Sequence, residues 1–391
     1  MKQLIYILSF LVSSSVIGQI DTTVMLISKV DFQPQYELHD GNIIGLMGYS
    51  QTIGGALNIP SPTLVFEEGD SVNLSFWNLS QGAPHTIHLH GLDVDQENDG
   101  VPSLSFDVVH DDTGSYYFKA PHPGTYLYHC HVTSVLHVQG GMYGLLIVHP
   151  KNDQNHTWDN GYYYHSEEAW LMSEIDTNWH HDTIINHPYD PQATMHPILP
   201  YNPQHFLING KSESQLQDYV MSLNEKVYMR LANIGYYGNQ VVFPAELNAK
   251  VVSSDGRPLP QAVNSDTVNL YPGERFGVLL ESNVEFNDTI SINYVNLNTQ
   301  QGESTQQVPV SVQLFVELEE NENDILFYPN PATDEVYVSE NGEWNLYDVS
   351  GKWVTSQTVE SGVLNVRMIG KGLYILISPN NKTQKLEIVK H

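Results

Sequence analysis

Residues 129–142, HCHVTSVLHVQGGM, set the chain's single cysteine between two histidines and follow it with His137 and Met142. A thiolate, an imidazole and a distant thioether on one loop, joined by an imidazole from elsewhere, are the donors of a blue-copper electron-transfer site. The second imidazole is sought upstream in PHTIHLHG, residues 84–91, which holds His85, His88 and His90. A lone buried Cys or Met is ordinarily a small or soft core residue, and a lone His ordinarily a hydrogen-bonded structural one. The grouping at these spacings is what points to metal.

Both segments follow strand-like text, VNLSFWNLS before the first and GTYLY before the second, so side chains alternate between two faces. Cys130 then points opposite to His129 and His131, while His88 and His90 share a face and His85 has the other parity. One face collects His85 and Cys130, joined by His137 and Met142 from the loop, as a buried mononuclear copper site. The other collects His88, His90, His129 and His131. Four imidazoles on an outward face pack poorly unless a metal or a partner domain covers them.

The stretches IPSPTLVFEEGDSVNLSFWNLS, HTIHLHGL, NDGVP, PGTYLYHCH and GMYGLLIVHP resemble the cupredoxin domains of multicopper oxidases, the laccase relatives, over residues 55–150. FLINGKS and LYPGERFGVLLES, between 205 and 285, resemble more weakly a copper-free middle domain of the same enzymes. The resemblance assigns His85, Cys130, His137 and Met142 to type 1 copper, His88 to type 2, and His90, His129 and His131 to type 3. It matches Asp99 to a carboxylate beside the oxygen-reducing cluster, although an Asp before Gly is equally a turn former. Electrons from a phenol, an aromatic amine or a reduced metal ion would enter at the type 1 copper, where His85 or His137 forms the solvent-facing edge. They would leave through Cys130 to oxygen.

That family builds its cluster from eight histidines, four from each of two domains, and this chain offers one quartet. Residues 205–318 contain no HxH; YYGNQVVFPAELN stands where it would be. The resemblance therefore implies a homo-oligomer, as in small two-domain relatives that form trimers with the cluster between subunits. The other histidines, His156, His165, His180, His181, His187, His196 and His205, read as solvated or hydrogen-bonding residues, with a role on a neighbouring subunit left open. Two alternatives stand beside the oxidase. A mononuclear electron-transfer cupredoxin needs no quartet. Copper nitrite reductases carry Asp where this chain has His88 and lack the second His of His-Cys-His.

At 391 residues the chain exceeds one ordinary domain. With 45 acidic against 16 basic residues its formal charge is −29, which argues against nucleic acid and anionic membranes as partners. One cysteine excludes an intrachain disulfide. Residues 1–19 read as a signal peptide, and 20–150 as a copper-binding cupredoxin domain. Residues 151–204 read as a connection rich in His and Tyr, 205–318 as a second cupredoxin-like domain without a copper motif, and 319–323 as a linker. The fold class expected is all-β, two cupredoxin-like Greek-key barrels or sandwiches plus a small C-terminal β-sandwich. The tail, 324–391, with LFYPNPATDEVYVSE, WNLYDVSGKWV and KGLYILISPNNKTQKLEIVKH, resembles the C-terminal sorting domain of the type IX secretion system. It implies secretion or display on the surface of a Gram-negative bacterium.

Overall fold

The computed structural model describes residues 22–30, 35–152, 154–181, 200–314, 327–349, 351–380 and 383–389. The expected signal segment 1–19 and linker 319–323, with His187 and His196, lie outside the described residues. The chain divides into two compact units at Leu314 and Phe315.

Alternation builds the first sandwich. In the strand Ser71–Asn78, Val72, Leu74, Phe76 and Asn78 are buried while the residues between them are half-exposed, the period of two that a sheet with one wet face requires. It pairs with Thr22–Val30 and Thr113–Lys119 in a four-stranded sheet edged by Met47–Ser50. The opposing sheet runs Leu64–Glu67, Tyr143–His149, Gly124–His129, His88–His90. Here the pattern changes: every residue of Gly124–His129 is buried. Tyr126 and Tyr128 face the sandwich interior with Leu26, Phe66, Phe76 and Tyr116. Leu127 and Leu145 face outward, into a second core with Leu171, Leu207 and Ala232. The cysteine strand is thus covered on both sides, which is why GTYLYH reads as an almost unbroken apolar run.

The outer cover is the second sandwich, a six-stranded sheet packed on a five-stranded one around Met172, Met229, Leu231, Val278, Ile292 and Val310. The expected connection 151–204 is not only a connection. Its residues Ser166–Ile175 form a ten-residue strand inside the six-stranded sheet, between His205–Ile208 and Lys226–Asn233. Its last six residues, Trp170–Ile175, are all buried, so the alternation that would have revealed a strand is absent. No helix among the described residues is long and apolar enough to cross a membrane. The C-terminal unit, taken by itself, is a three-stranded and a four-stranded sheet closed over Val336, Trp344, Leu346, Leu376 and Leu386.

An ionic network ties the first two sandwiches together. The guanidinium of Arg230, 1% exposed, donates to Glu167 Oε2 at 2.7 and 3.1 Å and to Thr125 Oγ1 of the cysteine strand at 3.0 Å. His149 of the first sandwich meets Glu167 Oε1 at 2.8 Å. Burial pushes the Glu167 carboxyl up, but the hydrogen bond from His149 and the charge of Arg230 outweigh it and hold the pKa at about 2. The folded pKa lies below the unfolded one, so the stabilisation is complete above the unfolded value and vanishes as pH falls toward the folded one. Glu167→Gln should cost about 3 kcal/mol at pH 7 by leaving a buried guanidinium without its counter-charge. The gap between variant and wild-type urea midpoints should close between about pH 4 and 2; a gap independent of pH would dismiss the ionic account.

Candidate metal centre

The backbone closes the first group of donors. Cys130 sits one residue past its strand, and its N–H donates to Met142 O at 3.1 Å, while the Met142 N–H donates to His137 O at 2.9 Å. Gly141 makes this return possible: its φ is +112°, and a Cβ there would stand 2.7 Å from Met47 O. His137 is carried on the short helix Ser134–Gln139. His85 lies outside the strand His88–His90 and is anchored by a bridge to Val108. Cys130 Sγ lies 3.2 Å from His137 Nδ1 and 3.6 Å from His85 Nδ1, and the two rings cross at 60° with centroids 4.6 Å apart. Imidazole nitrogen and thiolate sulfur on one tetrahedral metal stand about 3.5 Å apart, so the three donors already have a metal's spacing. Met142 and Cys130 are 0% exposed, His85 1% and His137 4%. Both imidazoles are thus buried, contrary to the solvent-facing edge expected of His85 or His137; at the end of the helix Gly140 packs on the Met47 side chain.

Burial sets the protonation of this group. It pushes the Cys130 thiol up to about 11, against hydrogen bonds from Thr86, Val132 and Tyr49 that pull it down. It pushes His137 down to about 4 and, with the neighbouring His137, takes His85 well below its usual range. Both imidazoles are neutral at pH 7, with lone pairs free, and a metal entering the site must displace one thiol proton.

The second group lies on the opposite face, as strand parity requires. Donor atoms of His88, His90 and His129 all fall within 4.8 Å of one another. The His131 ring borders them, 5.2 Å from His88 and 6.0 Å from His129, and its backbone N–H donates to Thr86 Oγ1 at 3.0 Å. Each inner imidazole has one nitrogen committed. His88 Nδ1 donates to the Asp99 carbonyl at 2.7 Å, with the Asp99 carboxylate 3.4 Å away. His129 Nδ1 donates to the Cys130 carbonyl at 3.0 Å. Such bonds fix the tautomer and aim the other nitrogen; His129 Nε2 then stands 3.4 Å from His90 Nδ1. The turn carrying Asp99 fits so closely because Gly100, at φ +74°, lies where a Cβ would meet the Ile87 carbonyl at 2.0 Å. Burial takes His129 down to about 3 and His90 to about 4, the latter helped by the charge of Arg275.

Among the described residues, the second sandwich reaches this face without a histidine. Gly273 packs against the His90 ring, and the Arg275 side chain lies against Gly91. Arg275, 4% exposed, pairs with Asp255 at 3.0 Å. Sequence reading missed Thr86 and Arg275. Thr86 lies inside the quoted PHTIHLHG, whereas nothing in PGERFG marks Arg275, whose role depends on how the sandwiches dock. Among the described residues no histidine of 151–204, nor His205, joins the quartet. His156 bridges to Tyr163, His165 accepts from the Lys226 N–H at 2.9 Å, and His180 donates to the Gly45 carbonyl at 2.8 Å.

Comparison with known proteins agrees with this geometry. Two multicopper oxidase family models match residues 38–153 and 175–313, and a secretion system C-terminal sorting domain matches 326–390. Copper resistance protein A of Escherichia coli is 39% identical over 119 residues, 30% of this chain and 19% of that protein. Copper resistance protein A of Pseudomonas syringae pv. tomato is 27% identical over 281 residues, covering 62% and 44%. The chain thus spans less than half the length of these curated relatives. The crystal structure of a blue copper oxidase from Nitrosomonas europaea has the same fold, with a TM-score of 0.58 at 24% identity over 77% of this chain and 89% of the other. A thiolate and thioether with imidazoles suit copper, and the cofactor of this family is copper.

A thiol held near 11 and fully enclosed should be inert. In the metal-free chain at pH 8, Cys130 should react with an aromatic disulfide reagent only on unfolding, and copper binding should release about one proton per chain into weakly buffered solution. Fast modification of the native apo chain would contradict the burial described.

Proposed function

Since the chain belongs to the multicopper oxidase family, we propose that it is an exported copper oxidase that takes electrons singly from a small reductant and delivers them to oxygen. The carrying observation is the pair of donor groups on opposite faces of one strand, joined through the peptide bonds of His129, Cys130 and His131. His85, Cys130, His137 and Met142 would hold type 1 copper, and His88, His90, His129 and His131 the oxygen-reducing copper. Bound copper would supply the one-electron redox chemistry at both groups. The protein's part is to keep the first group dry and rigid, to orient His88 and His129 through backbone carbonyls, and to provide Asp99 as a carboxylate within 3.4 Å of His88 Nδ1, where a proton bound for the oxygen site can be held. Phenols, aromatic amines and reduced metal ions are the candidate reductants.

The quartet supports a homo-oligomer. The side chain of His88 is 17% exposed, and the second sandwich of the same chain brings Gly273 and Arg275 to this face instead of imidazoles. We assign the remaining cover to a neighbouring subunit. The C-terminal match supports secretion or surface display, with the tail as the export address.

Copper-loaded protein should be blue, more than one copper per chain and oligomeric, and should consume oxygen with a phenolic reductant. Cys130→Ser should abolish the colour. His88→Ala and His131→Ala should keep it and lower oxygen uptake at least roughly 100-fold, beyond the loss that follows from disturbing an outer-shell partner. A blue monomer with one copper and no uptake would make it an electron carrier instead.

Deleting residues 324–391 should leave the copper centres intact but stop the protein short of the outer surface. Undiminished appearance of the truncated chain on the cell or in the medium would refute the sorting role.

A further inference from the structure

Apart from both donor groups, a third set of imidazoles meets at the seam of the first two sandwiches. His39 lies in the loop after Tyr36–Glu37, and His205 opens the strand His205–Ile208 of the six-stranded sheet. They are 166 residues apart in sequence, yet His205 Nδ1 stands 3.4 Å from His39 Nδ1. Ser212 Oγ lies 3.0 Å from the same His39 nitrogen. The two rings cross at 66° with centroids 5.2 Å apart, close to the 60° and 4.6 Å of His85 and His137. The nitrogen spacing equals that between His90 and His129.

Two nitrogens bound to one tetrahedral ion about 2.0 Å away stand about 3.3 Å apart. The far nitrogen of His205, Nε2, faces the Asp40 carboxylate at 3.8 Å. At that distance the carboxylate makes no hydrogen bond but places negative charge beside the imidazole, which favours a cation there. His205 and Ser212 are 4% and 1% exposed, while His39 is partly exposed and the Asp40 side chain is 37% exposed. The set is therefore fixed on its inner side and open on its outer side, where water can fill remaining coordination positions.

We propose that His39 Nδ1, His205 Nδ1 and Ser212 Oγ form a further binding site for a divalent transition-metal ion, with the Asp40 carboxylate adding negative charge nearby. Two imidazoles and a hydroxyl, without thiolate, select an ion of the zinc or copper(II) kind over calcium or magnesium. The ion would join the loop around His39 to the edge of the second sandwich. The site is independent of the oxidase reading, because none of its residues belongs to either copper group.

Zinc counted per chain at saturation, in metal-free full-length protein loaded with zinc alone, tests the site. The other donor groups persist in every variant, so differences report this set. His39→Ala and His205→Ala should each bind one zinc fewer than wild type, and Asp40→Asn should bind that zinc more weakly. Zinc should raise the melting temperature more in wild type than in His39→Ala. His39 is partly exposed, so its variant should fold even if the His205 variant does not. Equal zinc counts in wild type and His39→Ala would overturn the proposal and leave Ser212 and the two histidines as a hydrogen-bonded seam.

Discussion

Cys130 is joined by peptide bonds to an imidazole on each side, at the end of a strand buried on both faces, and the rest of the site follows from that constraint. Neighbouring residues in extended backbone must face opposite ways. The thiol therefore enters the apolar interior of the first sandwich, and His129 and His131 turn toward the second. Neither group is assembled at random on a surface. The soft sulfur donors are enclosed with tyrosines and leucines, and the imidazoles gather where two sandwiches meet. Buried imidazoles are costly unless each nitrogen has a partner. The carbonyls of Asp99 and Cys130 satisfy one nitrogen each on His88 and His129, and the lone pairs left over converge. That leftover is the physical signature of a site made for a cation.

The second sandwich carries no donor motif, and its contribution is mechanical and electrostatic. Two of its buried arginines grip the same residue of the cysteine strand: Arg230 donates to the Thr125 hydroxyl at 3.0 Å and Arg275 to the Thr125 carbonyl at 3.3 Å. Each guanidinium is balanced at 3.0 Å or less, by Glu167 and by Asp255. Thr125 lies five residues before Cys130 on a strand of fixed rise, so the grip bears on the position of both donor groups along the junction.

Much of this was legible in the sequence, for identifiable reasons. Ser71–Asn78 shows its face by alternation, and the split of His85 and Cys130 from His88, His90, His129 and His131 follows from parity alone. Even so, His85 reaches its place beside Cys130 from outside the strand, through the bridge to Val108, a route that parity does not describe. What stayed hidden depends on docking. Ser166–Ile175 was illegible as a strand because cover on both sides erases its period. The burial of His85 and His137 could not be read because it depends on how segments remote in sequence pack together. Arg275 carries no local signal at all.

The position of Arg275 bears on what the quartet can hold. A guanidinium near His90 disfavours further positive charge there and adds to the burial that lowers the proton affinity of His90. The same repulsion opposes a metal cation, whose charge is larger than a proton's. Asp255, 3.0 Å from the guanidinium, cancels most of that field, and the Asp99 carboxylate beside His88 adds negative charge on the other side. The quartet is therefore flanked by two carboxylates and one cation, a net balance that tolerates added positive charge. In a chain whose formal charge is −29, the long-range field acts in the same direction. Electrostatics thus favour a cation at a face where, among the described residues, the second sandwich supplies no imidazole.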